Sequence, residues 1–91
     1  MYKIVFKLLV LSYLVALVYA GCGVTFESKD GHHMCYGNNN DDCRRVAQHS
    51  KDRNVCKSYE QHSARGYRAK DCDNSDKMRH ICEQHGCDYE H

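Results

Sequence analysis

The stretch SDKMRHICEQHG, residues 75–86, decides the fold. Met78, Ile81, Cys82 and His85 recur at i, i+3, i+4 and i+7, so they share one face of a helix. Asn74 or Ser75 can cap its start, and Gly86 supplies a stop just beyond its end. The face is narrow, and one of its four members is a cysteine. A helix with so little apolar surface needs a sheet to cover and a covalent tie to stay on it. DDCRRVAQHS, residues 41–50, repeats the pattern. Cys43, Val46, Ala47 and Ser50 line one side, with Asn40 or Asp41 as cap and Asp42 in the first turn.

Strand signals surround the two helices. GVTFES, residues 23–28, alternates in the two-residue period of a strand, KDGHH turns at Gly31, and HMCY returns. NVCKSYEQH, residues 54–62, is rich in β-branched and aromatic side chains. A turn over Ser63–Gly66 leads into GYRAKDC, and Cys87-Asp88-Tyr89 offers a short last strand. The pattern predicts a small α+β domain of two layers stapled by disulfides. An antiparallel sheet of three to four strands carries both helices on one face. Cys43 and Cys82 point inward as crosslinks from helix to sheet, with Cys35, Cys56 and Cys72 as strand-side partners.

The two ends of the chain differ in composition. All five leucines precede Ala20 and all seven cysteines follow it. MYKIVFKLLVLSYLVALVYA, residues 1–20, has Lys3 and Lys7 ahead of and beside an apolar run, Leu8 to Val18, and ends on Val18-Tyr19-Ala20. This is the layout of a cleaved secretory signal; it falls short of the roughly 20 apolar residues of a membrane span. Residues 21–91 then form one exported domain, with no transmembrane segment after cleavage. Its large apolar side chains are few, and a domain this small buries only about 60% of its unfolded surface. Three disulfides at roughly 2–4 kcal/mol each would supply what the core lacks, in the oxidising compartment where they persist.

Seven cysteines leave one over, and three bridges can be drawn in on the order of a hundred ways. Cys22, second in the mature chain, is the expected odd member. Cys35, Cys43, Cys56, Cys72, Cys82 and Cys87 then make the bridges. Tyr19-Ala20-Gly21-Cys22 also resembles the lipobox of bacterial lipoproteins, which implies a lipidated cysteine at that position. A monomer is expected, with a disulfide dimer through the odd cysteine as the variant.

Charge and motifs exclude more than they assign. Without Lys3 and Lys7 the chain carries 11 Lys and Arg against 12 Asp and Glu. No basic field for nucleic acid or an anionic membrane results at neutral pH. Seven histidines would raise the charge steeply near pH 5 to 6. Two groups have zinc-type donors: His80, Cys82, His85 and Cys87, and His32, His33 and Cys35. Four donors in two helical turns converge poorly and export favours oxidation, so no metal or cofactor is expected. Glu60 and His62 on one strand face, with Arg65, Arg68 and His80, are the residue types of a small secreted ribonuclease. Polar residues two apart on a strand more commonly mark its solvated face. No catalytic residue is therefore assigned. The expected binding surface is the His32–Asn40 loop and the Tyr59–Tyr67 hairpin: His32, His33, Tyr36, Tyr59, His62, Arg65 and Tyr67.

The signal, about seventy mature residues and this cysteine count resemble the small secreted cysteine-rich effectors of plant-associated fungi. The element order, with Cys43 and Cys82 on the helices, is similar to the two-layer fold of virally encoded killer toxins of smut fungi. That resemblance implies a virulence or toxin protein that binds a host or competitor protein or a surface glycan without catalysis. A second effector family has a ribonuclease-like fold and a Tyr-x-Cys motif; here Cys35-Tyr36 stand in the reverse order. A venom or antimicrobial peptide shares the same framework, although antimicrobial chains are usually more cationic.

Overall fold

A computed structural model describes residues 21–91; the expected export signal, residues 1–20, lies outside the described residues. The elements are β1 (Cys22–Ser28), β2 (Gly31–Gly37), α1 (Asn40–Asp52), β3 (Ser58–Ser63), β4 (Gly66–Cys72), α2 (Ser75–Gln84) and β5 (Asp88–Glu90). Both helices form where the stripes predict. Cys43, Val46, Ala47 and Ser50 are the buried residues of α1, and Met78, Ile81 and Cys82 those of α2. The cap of α1 is Asn39 rather than Asn40 or Asp41: its side-chain oxygen accepts from the Asp41 N–H at 2.9 Å. Asn74 caps α2 in the left-handed region, accepting from the Lys77 N–H at 3.3 Å. Gly86, with φ of 73°, ends that helix where a side chain would be strained.

The sheet has five strands, not three to four, in the order β3-β4-β1-β2-β5. It is mixed rather than antiparallel. The β1–β2, β2–β5 and β3–β4 pairs are antiparallel, but β1 and β4 run parallel. Both helical connections, β2-α1-β3 and β4-α2-β5, therefore join strands of the same direction. Each helix returns the chain across the sheet instead of turning it back, and this brings β4 alongside β1 in parallel.

Strand alternation sorts side chains onto two faces. Val24, Phe26, His33, Cys35, Tyr67 and Ala69 point inward and are buried against α1 and α2. Thr25, Glu27, His32, Met34, Tyr36, Arg68 and Lys70 stand on the other face, outside the helix layer. The apolar core adds only Val46, Ala47, Val55, Met78 and Ile81 to the inner strand residues. Sulfur completes it. Cys22–Cys43 ties α1 to β1, Cys35–Cys82 ties α2 to β2, and Cys56–Cys72 pins the segment after α1 to the end of β4. Cys22 is thus a bridge member, which also excludes a lipid thioether on its sulfur, and the free buried thiol is Cys87.

Candidate functional site

The end of the sheet near Gly37 carries a cleft of about 650 Å³. Its floor follows from the register. Gly66, Gly23 and Tyr36 stand in one row across β4, β1 and β2 on the outer face. Gly23 lacks a side chain, so the row sinks there, while Ser63 Oγ and the His62 ring fill the space over Gly66. The Tyr36 ring forms one wall, 3.8 Å from where a Gly23 Cβ would stand. The β3–β4 turn forms the other, with Ser63 and Arg65 at the lip. His62 folds over Gly66, its Nε2 3.1 Å from a Cβ built there. Asp88, paired with Tyr36 on β5, contributes a carboxylate to the rim. At 43% exposure Tyr36 is the exposed large hydrophobic side chain among the described residues.

Of the seven expected surface residues, Tyr36 and Arg65 line this cleft, and His62 lies beside it over Gly66. The other four lie elsewhere. His32 lies at the far end of β2, beside a more acidic hollow lined by Asp30, Asp71 and Asp73. Tyr59 is half-buried and packs against the core. His33 and Tyr67 are 1% and 3% exposed and belong to the interior, not to a binding surface. Their burial has one cause: each occupies an inward position of its strand. The alternation that places Cys35 inside also places His33 inside, two residues earlier, and this signal was present in the sequence.

Behind the cleft three sulfurs surround Gly37. A Cβ at that position would stand 2.8 Å from Cys87 Sγ, 3.1 Å from Cys43 Sγ and 3.2 Å from Cys22 Sγ. The free thiol is therefore packed beside the Cys22–Cys43 bridge. Burial pushes the Cys87 thiol up from its ordinary value, and the Asp42 and Asp88 carboxylates push the same way. It stays protonated and is a poor nucleophile at neutral pH. Close by, His85 Nε2 and His49 Nδ1 are 3.0 Å apart, so one ring donates and the other accepts. Burial, then the facing His49 ring, lowers the His85 pKa.

The zinc-type donor sets expected from the sequence are dispersed. Cys82 and Cys35, needed in the two zinc groupings, are bonded to each other. Glu60 pairs with Lys70 and Arg68 with Glu27, each at 3.1 Å, on the outer face. His80 is on α2, which covers the other face, while Glu60, opposite Arg68, and His62, over Gly66, stay on the outer face. A different grouping is present, however. Asp30, His33 and His91 bring one donor atom each to within 4.8 Å of one another. The Ser28 hydroxyl donates to the Asp30 carboxylate. That bond, followed by the His33 contact, holds the Asp30 pKa below its ordinary value. Among the described residues no helix is long and apolar enough to cross a membrane. Comparison of the chain with protein-family models, with curated proteins and with solved structures gave no match.

Proposed function

We propose that this chain is a secreted, disulfide-stapled binding protein of the effector or toxin type. It acts without catalysis, by seating part of a host or competitor protein in the cleft of Tyr36 and Arg65. The observation that carries this reading is the placement of Tyr36. It stays exposed while the core is so short of apolar residues that cysteines complete it. An exposed tyrosine beside an arginine at a concave site has the composition of an interface anchor. The oxidised bridges and the export signal expected at residues 1–20 are consistent with an extracellular setting. The resemblance of the sequence to killer toxins and related effectors suggests the same class. A protein partner suits the aromatic wall and mixed-charge rim better than nucleic acid, which would call for a basic field.

The test is site-specific photo-cross-linking on live host or competitor cells. A photoreactive phenylalanine analogue replaces Tyr36 in one sample and Gln48, exposed on α1, in another. The account expects one discrete adduct from position 36, competed by excess unmodified protein and not by Tyr36→Ala protein. Equal adducts from both positions, or full competition by Tyr36→Ala, would contradict it. RNA hydrolysis abolished by His62→Ala would replace it with the ribonuclease reading.

A further inference from the structure

At the opposite end of the β1–β2 hairpin from the cleft, an interior histidine is set up as a ligand. His33 is 1% exposed. Its Nδ1 lies 2.6 Å from the Tyr89 hydroxyl and its Nε2 3.3 Å from Asp30 Oδ1. The ring is fixed on both sides, and its Nε2 points to the surface, where Asp30 is exposed. The imidazole of His91 stands edge-on to the same ring, with centroids 4.4 Å apart and planes at 68°. Two imidazoles and a carboxylate therefore converge from the β1–β2 turn, from β2 and from the residue after β5.

From this geometry we infer that Asp30, His33 and His91 bind a divalent first-row transition cation of the zinc type. Imidazole nitrogens suit zinc, copper and nickel, whereas magnesium and calcium demand oxygen shells that two histidines do not provide. Three protein donors and one outward position open to water or a partner's donor is the arrangement of a non-structural zinc site. Tyr89 completes it. A ligating histidine characteristically donates its second ring N–H to an oxygen, which orients the ring and strengthens the bound nitrogen. A phenol hydroxyl both donates and accepts. In the free protein it donates to Nδ1 while Nε2–H donates to Asp30. With a cation on Nε2 the proton sits on Nδ1 and Tyr89 accepts it. The hydrogen bonds of the free state satisfy His33 without using His91. The His91 ring is what turns a satisfied interior histidine into a three-donor set. This site is independent of the cleft and of what the cleft binds.

The experiment titrates Zn²⁺ into the oxidised protein, followed by calorimetry and by ¹⁵N NMR of the histidine rings. One equivalent is expected to bind, and His33 is expected to change from the Nε2–H to the Nδ1–H tautomer. His91→Ala and Asp30→Asn lie at exposed positions, so both should keep the fold and each should weaken binding at least roughly tenfold. Tyr89→Phe should weaken it about 10–100-fold, as loss of an orienting partner does elsewhere. Absence of binding at millimolar Zn²⁺, or binding unchanged in His91→Ala, would overturn the assignment. Loss of binding in His49→Ala or His85→Ala with the Asp30 and His91 variants intact would overturn it as well. Mg²⁺ binding as tightly as Zn²⁺ would contradict the nitrogen-donor basis of the site.

Discussion

The two ends of the β1–β2 hairpin are held by different means. At the Gly37 end three sulfurs crowd one glycine, and the outer face above them is hollowed at Gly23. At the Gly31 end an imidazole sits in the interior between a phenol and a carboxylate. The first end is fixed by covalent bonds and close packing, so it should respond to volume. The second is fixed by hydrogen bonds around one buried ring, so it should respond to polar partners. A domain with so small a core meets its stability at each end with whichever side chains are to hand, and each end fails differently.

The largest effect is expected midway, where Cys35–Cys82 joins both ends to α2. It closes the longest loop of the three bridges, at a sequence separation of 47. Replacing both cysteines by alanine should cost about 4 kcal/mol by loop entropy, more than either shorter bridge. Urea unfolding of the three double variants would check the order. A smaller loss from Cys35/Cys82 than from Cys56/Cys72 would show that the helix is held by packing instead.

Gly37→Ala comes next, at about 1–3 kcal/mol, because its Cβ enters space already filled by sulfur. Cys87→Ala in the same chain removes the nearest of the three sulfurs and should restore part of that loss. Additive effects in thermal melts would mean that the crowding at this end is not what constrains Gly37. At the other end Tyr89→Phe adds no volume and removes one partner of His33. A loss of about 1 kcal/mol is expected, with the bridges intact by mass. No loss would place water on His33 Nδ1 and weaken the contrast between the ends.

The mildest effect is one of pH. His85 faces His49, with Asp42, Arg45 and Arg53 near it, and burial followed by the His49 ring lowers its pKa in the folded state. The unfolded chain therefore takes up the proton first as the pH falls. Stability from this pair is complete above the ordinary imidazole value of about 6.5 and is lost as the pH drops below it, until the folded group also protonates. A melting temperature lower by roughly a few degrees at pH 5 than at pH 7.5 is expected, with a flatter profile in His85→Gln. An unchanged slope in that variant would assign the pH response to other groups.

The helices and most strand positions were legible because local rules set them. The stripe of Met78, Ile81 and Cys82, the stop at Gly86 and the span of β4 all follow from periodicity and turn chemistry. The parallel β1–β4 pairing was not legible, because it depends on where two helical crossovers return the chain. The odd cysteine was misplaced for a related reason. Position in the chain favours Cys22, but three sulfurs from β1, α1 and the residue before β5 meet only in space, at Gly37. For the surface, Tyr36 and Arg65 come together at one cleft, with His62 beside it over Gly66. His33 and Tyr67 go inside through the same alternation that places Cys35 and Ala69 there.

The central claim is that sulfur stands in for the missing core in a defined pattern, and one measurement reaches it directly. The protein is isolated from the medium of an exporting host, alkylated without reduction, digested and mapped by mass. The account predicts the pairs Cys22–Cys43, Cys35–Cys82 and Cys56–Cys72, with the alkyl group on Cys87 alone once the chain is unfolded. Alkylation of Cys22 with Cys87 in a bridge, or four or more reactive thiols, would contradict it.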